Sequence, residues 1–270
     1  MNRRHFLTAT AIGAGAGVNS IAMPAVAQSM PQIRWRLAAS WPKSLDTLYG
    51  ACEVFAKRVA EITDNRFQLQ LFAAGEIVPG LSVLDAVQNQ TVEIGNTAAY
   101  YYIGKDAALA FGTAVPFGLN ARQMESWLLH GGGNDLLQEV YYPAWWEGGA
   151  NAHTLVNVEK WHELPKNYQA VLLAAARDAG NWMTGKYDAA NPPAIKRLVA
   201  GGVLLRPFSQ DIMEACYKAA NQVYAETGAT NPRFKKLYES LSAFRSESYL
   251  WWQVAEMAFD SFQVRMRSRT

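Results

Sequence analysis

The chain of 270 residues has few of the groups that carry catalysis or bind transition metals. It has two cysteines and no Cys-x-x-Cys spacing, which excludes thiolate-only metal clusters. The histidines beyond the amino terminus, His130, His153 and His162, form no helical ligand pair. The sequence also has no Gly-x-Ser-x-Gly elbow, His-Glu-x-x-His helix or Gly-x-Gly-x-x-Gly loop. With no positive sign of catalysis, we expect a protein that is not an enzyme and has no covalent cofactor.

The chain also has no large excess of positive or negative charge. The formal net charge is +2, and both Arg3 and Arg4 lie in residues 1–27, which contain no acidic residue. The rest of the chain therefore has 23 cationic and 23 acidic side chains. A neutral chain has no general attraction to nucleic acid or anionic lipid, so we expect no nucleic-acid partner.

The amino terminus is typical of a bacterial export signal. Arg3 and Arg4 precede an apolar run rich in alanine and glycine, and residues 25–27 (Ala-Val-Ala) offer small side chains to a peptidase. We interpret residues 1–27 as a twin-arginine signal that directs the protein to the periplasm. The alternative is a basic tail before a transmembrane helix, but the apolar run is too short and too rich in glycine.

Alternating and helical apolar patterns predict an α/β fold. Alternation predicts strands over residues 33–37, 67–71 and 91–95, and a three- or four-residue apolar period predicts helices between them. Short connections between such elements favour a parallel sheet. Ligands of parallel sheets bind beyond the carboxyl ends of the strands. Trp41, Asn96 and Thr97 fall at those ends and are candidate ligand-binding residues.

Further helices are predicted over residues 122–130, 166–184 and 209–226, and a strand over 153–157. In a last helix, over 249–266, the polar positions form one narrow stripe: Gln253, Glu256, Asp260 and Gln263. A helix that is apolar over most of its circumference is buried on several sides. It either packs across its own domain or packs against a second copy, and we predict a homodimer through this helix.

Two aromatic clusters supply the remaining candidates. Tyr101 lies in a run of three tyrosines, and Trp146 and Glu147 lie in a loop of large rings and glycines. Aromatic side chains line small-molecule clefts, although they also dominate cores and hinges. A carboxylate among tryptophans is either a cation ligand or a residue with an exposed edge. We therefore predict Tyr101 and Trp146 as ligand-binding and Glu147 as the ligand of a hard cation, Na⁺ or Ca²⁺, that bridges to a carboxylate.

An ordered set of short segments resembles one family through most of the chain. These are 37–44 (LAASWPKS), 74–80 (AGEIVPG), 84–88 (LDAVQ), 92–95 (VEIG), 116–119 (PFGL), 142–149 (YPAWWEGG) and 164–169 (LPKNYQ). The chain resembles the substrate-binding subunits of TRAP (tripartite ATP-independent periplasmic) transporters, and most closely the branch that binds 2-oxo acids and lactate. The resemblance implies a periplasmic-binding-protein-like fold of two α/β lobes, a small organic monocarboxylate such as pyruvate as ligand, and membrane permease subunits as partners.

The chain departs from that family at one point. Val140 is followed almost directly by Tyr142, where the family has a further segment that builds most of the second lobe and carries an arginine for the ligand's carboxylate. We therefore predict a truncated second lobe, with these divisions: an export signal (1–27), a first α/β lobe (28–140), a remnant of the second lobe (141–206) and a carboxyl-terminal helical region (207–270).

Three origins of the short segment are open: an internal deletion, an error of sequence assembly, or a working variant with a reduced lobe. The last is the least favoured, because losing a lobe removes the closure that excludes water. Alternative functions are an exported cofactor-binding oxidoreductase, suggested by the signal, and a non-transporting interaction protein.

Overall fold

The computed structural model describes residues 30–141 and 152–267. The predicted export signal lies outside these residues, as do Trp146 and Glu147. The chain divides into a short unit, Met1–Pro31, and a long one, Gln32–Thr270, to which all the elements below belong. Among the described helices, none combines the length and the apolar character that crossing a membrane requires.

A four-stranded mixed sheet forms the centre of the long unit. Its strands are β1 (Ile33–Ala39), β2 (Phe67–Phe72), β3 (Ile94–Ala98) and β4 (Ala152–Val156), in the order β2-β1-β3-β4. β1 pairs in parallel with β2 and with β3, which confirms the predicted parallel core. β4 is antiparallel to β3, so the start of β4 lies at the same edge of the sheet as the end of β3.

Helices cover both faces of this sheet. They are α1 (Leu48–Ile62), α2 (Val83–Gln88), α3 (Ala110–Thr113), α4 (Ala121–His130), α5 (Gly133–Tyr141), α6 (Val158–Glu163), α7 (Lys166–Ala200), α8 (Gln210–Thr230), α9 (Pro232–Trp252) and α10 (Ala258–Arg267). A single π-helical turn, Gln253–Met257, separates α9 from α10.

One face of the sheet is covered by α1 and α7, which pack against each other. Their apolar sides meet a buried aromatic cluster in which the Phe67 ring lies 5.0 Å from Trp35 and 5.3 Å from Tyr168. On the other face, α2 packs on β3, and α4, α5 and α9 pack around the fully buried Trp127. Both faces are thus apolar, as expected for strands that helices cover on two sides.

The third strand is displaced from its predicted position of 91–95. The backbone N–H groups of Thr91 and Val92 both donate to the carbonyl of Ala86, so these two residues close the turn after α2. The strand consequently starts at Ile94, and Asn96 and Thr97 lie within it and not beyond its end. Because successive side chains of a strand point to opposite faces, these two residues are separated.

The predicted last helix, 249–266, is part of a longer helical segment that starts at Pro232 and contains the π-helical turn. Its apolar side chains are exposed in the single chain. We call this set the carboxyl-terminal apolar surface: Tyr249, Leu250, Trp251, Val254, Met257, Phe259, Phe262 and Val264. In the single chain, these side chains therefore do not pack across their own domain.

The predicted division at 140 and 206 stays a prediction. β4, from the predicted second-lobe remnant, joins the sheet of the first lobe, and α7 packs on α1. The part of the chain that the structure describes has this single sheet.

Candidate functional site

The site is built where β1 and β3 end and β4 begins. Ala39 is in register with Asn96, and Asn96 is in register with Thr154 on the other side. The Ser40 N–H donates to the carbonyl of Asn96 over 2.8 Å, which keeps the chain after β1 close to β3. Asn96 therefore lies between two strands at the edge where α/β sheets bind ligands.

The amide of Asn96 is held from both sides. Its Oδ1 accepts a hydrogen bond of 2.6 Å from Nε1 of Trp41, and its Nδ2 donates to Oγ1 of Thr154 over 3.2 Å. Because an indole N–H only donates, the bond to Trp41 fixes which end of the amide is the oxygen. The partly buried Asn96 side chain is thus oriented before any ligand arrives.

A cavity of about 460 Å³ opens at this edge of the sheet. Its walls come from the sheet and from α1, α4, α5 and α7. The residues that line it are Ala51, Phe55, Asn96, Ala121, Arg122, Glu125, Leu128, Leu129, Asn134, Ala152, Thr154, Ala176, Arg177, Ala179, Gly180, Asn181, Met183, Thr184 and Asp188. The volume lies in the usual range of small-molecule sites. Of the predicted site residues that the structure describes, Asn96 lines this cavity.

Trp41 and Tyr101 lie together beside the cavity wall, not in it. Trp41 is buried, and its ring centroid lies 6.0 Å from that of the half-buried Tyr101. Burial raises the pKa of Tyr101, and the neighbouring Tyr100 adds to the effect, so its hydroxyl stays protonated at neutral pH. Trp41 acts on the site through its hydrogen bond to Asn96, so the structure brings these two predicted residues into direct contact.

Thr97 has a different position. It is 1% exposed and belongs to a buried chain of hydroxyl groups. Its Oγ1 lies 2.6 Å from Oγ of Ser40 and 2.8 Å from the hydroxyl of Tyr102. The chain continues to the carbonyl of Gly80 and the N–H of Leu84. Thr97 thus ties β1, β3 and the start of α2 together, behind the cavity wall.

Two carboxylates beside the sheet, Glu93 just before β3 and Glu76 in the loop after β2, each have their own cation. Glu76 accepts from Lys43 over 2.6 Å, which lowers its pKa, and a second bond from the Ala73 N–H lowers it further. Burial raises the pKa of Glu93, but hydrogen bonds from Arg36 lower it more, so the net shift is downward. Each carboxylate is therefore the partner of an exposed cation.

The residues of α4 and α7 that line the cavity were not predicted from the sequence. The charged residues there are Arg122 and Glu125 on α4 and Arg177 and Asp188 on α7. Spacing gives a partial signal, because residues three apart on a helix share a face. A second signal is the run of small residues on α7, among them Ala176, Ala179 and Gly180, which leaves room for the cavity.

Oxygen-bearing side chains in the cavity suit a hard cation. Oδ1 of Asn134 is a buried atom with no hydrogen-bond partner in the structure, and Glu125 and Asp188 add carboxylates to the lining. Na⁺ and Ca²⁺ take such oxygen ligands. Within the described residues, no three His, Cys, Asp or Glu side chains cluster as a metal site.

A cleft at the edge of a mixed α/β sheet, lined by apolar side chains and a few oriented polar groups, is typical of a small-molecule site. The sequence profile of the bacterial extracellular solute-binding proteins, family 7 (DctP), matches residues 37–151 and 137–231. The chain therefore belongs to the family 7 solute-binding proteins, which confirms the resemblance to TRAP transporter subunits.

Individual relatives extend over nearly the full chain. A Nostoc protein named as a monocarboxylate 2-oxoacid-binding periplasmic protein is 35% identical over 360 residues, which span 97% of this chain and 99% of the relative. Because 97% of 270 residues is about 262, roughly 98 of those 360 aligned positions have no residue of this chain.

Solved structures show the same fold. A TRAP transporter solute-binding protein from Bordetella bronchiseptica, a dimer with copurified calcium and picolinate, is 30% identical with a TM-score of 0.83 and covers 88% of this chain and 99% of its own. One from Pseudoalteromonas atlantica, with bound sodium and pyruvate, is 21% identical with a TM-score of 0.81, covering 85% and 99%. At 21% identity, the similarity to the Pseudoalteromonas protein shows a shared fold and nothing more.

Proposed function

We propose that this chain is the periplasmic solute-binding subunit of a TRAP transporter and that it captures small organic monocarboxylates, 2-oxo acids such as pyruvate. The observation that carries the proposal is the 35% identity, over nearly all of both chains, to a protein named for binding monocarboxylate 2-oxo acids. The captured acid would pass to the membrane permease subunits of the transporter, and residues 1–27 would export the protein. We propose no catalytic role.

The geometry supports a small, polar ligand. Asn96 and Thr154 place oriented hydrogen-bonding groups on the sheet wall of the cavity, and Phe55, Leu128 and Met183 give it apolar surface. A few fixed polar groups in a largely apolar cleft orient a small molecule and give specificity. The oxo group and carboxylate of a 2-oxo acid are acceptors that such donors recognise.

A hard cation belongs to the same proposal. We propose that Na⁺ or Ca²⁺ binds near the ligand's carboxylate, with Glu147 as its carboxylate ligand and Asn134 as a neutral oxygen donor. Calcium copurified with the picolinate-bound Bordetella protein, the 30% identical relative, which supports the choice of cation. The cation would neutralise the negative charge that the ligand and Glu147 share.

We also propose that this chain lacks a segment that its relatives have, and that its ligand binding is weaker as a result. The family profile matches in two parts that meet over residues 137–151, and the Nostoc relative has many more aligned positions than this chain has residues. A smaller second lobe excludes less water and offers fewer partners to the carboxylate, so affinity falls.

The test combines ligand titration with analysis of the purified protein. Titration calorimetry with pyruvate and with longer 2-oxo acids is expected to show saturable binding to one site. Absorbance spectroscopy and metal analysis test the alternative of an exported oxidoreductase. A stoichiometric flavin, haem or transition metal in the purified protein would contradict the proposed function.

A further inference from the structure

Arg122 connects the cavity with the carboxyl-terminal helices. It lies in the first turn of α4 and lines the cavity beside Ala121 and Glu125. Its guanidinium donates from Nη1 to Oε1 of Glu256, and its Cζ lies 4.8 Å from the centre of the Trp252 ring. Arg122 thus belongs to the cavity wall and also contacts the π-helical turn that contains Glu256.

The guanidinium of Arg122 has donors left for a ligand. A guanidinium presents five N–H groups in a planar fork that matches a carboxylate. Glu256 accepts from Nη1, and no other described residue accepts a hydrogen bond from Arg122. The Trp252 ring lies against the cation and restricts its orientation. The Arg122 side chain is 64% exposed, and the residue is part of the cavity lining.

A carboxylate that leaves water needs a charged or hydrogen-bonding partner. Within the described residues, the cations that line the cavity are Arg122 and Arg177. Arg177 has an interaction of its own, and the next residue, Asp178, is paired with Arg58 of α1 at 2.5 Å. Arg122 bonds to one acid, Glu256, and is therefore better suited than Arg177 to bind a carboxylate.

We propose that Arg122 is the cation that binds the ligand's carboxylate in this cavity, and that Glu256 competes with the ligand for the same guanidinium. The inference rests on the proposed function, because it names the anchor for the acid that the protein captures. The π-helical turn fits this role, since such turns are frequent at functional sites. Ligand binding would then weaken the contact between α4 and the carboxyl-terminal helices.

Substitutions of Arg122 and of Glu256 are predicted to change pyruvate affinity in opposite directions. Arg122→Gln removes the anchor, and we expect pyruvate affinity to fall by about 10-fold to 150-fold, the range for a hydrogen bond to a charged group. Arg122→Lys keeps the charge without the fork and is expected to lose less. Glu256→Gln removes the competitor, and affinity is expected to rise by up to about fivefold, because an exposed ion pair is worth little.

The experiment is titration calorimetry of the full chain and these variants with pyruvate, with circular dichroism to check folding. The matched control is Arg34→Gln, an exposed arginine bonded to Gln68 at the start of β1, and we expect its affinity to be unchanged. Arg177→Gln is the rival anchor and is expected to lose less than Arg122→Gln.

Pyruvate binding that Arg122→Gln leaves unchanged, or that Arg177→Gln weakens more, would overturn the inference and leave the proposed function standing. Failure of the unaltered protein to bind any 2-oxo acid would overturn both. Should Arg122→Gln not fold, Glu256→Gln decides: unchanged or weaker binding contradicts the competition.

Discussion

Trp41 donates its indole N–H to the side-chain oxygen of Asn96 over 2.6 Å, and this bond joins the turn after β1 to β3 at the wall of the cavity. Trp41 is 4% exposed, so its indole N–H has little access to water. The bond also orients the amide toward Thr154. Two residues that the sequence proposes separately as ligand contacts are therefore one unit, in which Trp41 positions Asn96.

The first prediction is a coupling between these two residues. Asn96→Ala leaves the buried indole N–H unsatisfied, and we expect the free energy of unfolding to fall by about 1–3 kcal/mol. Combining Asn96→Ala with Trp41→Phe removes both polar partners, so the double variant should be more stable than the sum of the single effects implies. Denaturant unfolding of the four proteins in this cycle measures the coupling, and strictly additive effects would contradict it.

The second prediction concerns the contact of α2 with β3 at Gly95. A Cβ at this position would lie 2.5 Å from Cγ1 of Val83 and 2.9 Å from Cγ2 of Val87. Both are methyl groups of stiff β-branched side chains. Gly95→Ala should therefore lower the free energy of unfolding by about 1–3 kcal/mol, the usual cost of overpacking.

The control for that variant is Gly104→Ala, because a Cβ there meets no atom within 4 Å. Thermal unfolding compares the two. Equal melting temperatures for Gly95→Ala and the unaltered protein would show that α2 does not lie as close to β3 as the structure has it.

The third prediction is a pH dependence that originates at Asp106. Its carboxylate accepts hydrogen bonds from the Ala108 N–H, from Asn231 and from Arg233, and so holds the start of α9. Burial raises the pKa of Asp106, but these three bonds lower it more, and the net shift is below the ordinary value of 3.8. The contribution to stability is thus fully present above pH 3.8 and is lost as the pH falls through the lower, folded-state pKa.

We expect Asp106→Asn to cost about 1.5–3 kcal/mol of unfolding free energy at neutral pH and to approach the stability of the unaltered protein in acid. Glu239→Gln, which neutralises a carboxylate 3.9 Å from Lys235 on the surface of α9, is the matched control. Urea unfolding at several pH values is the measurement. A difference between Asp106→Asn and the unaltered protein that does not depend on pH would argue against the carboxylate as its source.

The fourth prediction is a homodimer through the carboxyl-terminal apolar surface. Val254 is 78% exposed, Trp251 65% and Phe259 62%, and monomers rarely expose a contiguous apolar patch of this kind. Trp251→Glu combined with Phe259→Glu should convert a dimer into a monomer in light scattering. The control is Gln253→Glu with Gln263→Glu, which adds the same charge without removing a ring. A monodisperse monomer of the unaltered protein would exclude the dimer.

The sequence predicts the sheet well and the cavity poorly. Alternation in β1 and β2 and the apolar period of α1 are local signals, and they place these elements within a few residues. The start of β3 depends on a turn in which Thr91 and Val92 bond to Ala86, and alternation does not report such a turn. Asn96 lines the cavity because it lies at the sheet edge that the parallel topology creates, and its role in ligand binding stays a prediction.

The helical wall of the cavity escaped prediction for a physical reason. Arg122 and Asp188 are brought to Asn96 by the packing of α4 and α7 around the sheet, which depends on contacts far apart in the sequence. A charged residue on a helix is normally a solvated surface residue, so its type alone gives no sign of a site. Trp146 and Glu147 lie outside the described residues and stay predictions.

We propose that this chain binds a small 2-oxo acid with the help of a hard cation. The decisive measurement is titration calorimetry of the purified protein with pyruvate, first with a chelator present and then with Ca²⁺. We predict saturable binding at one site, weaker than micromolar and strengthened by Ca²⁺, with Glu147→Gln abolishing the effect of the cation. The absence of saturable binding of pyruvate and of longer 2-oxo acids under both conditions would contradict the account.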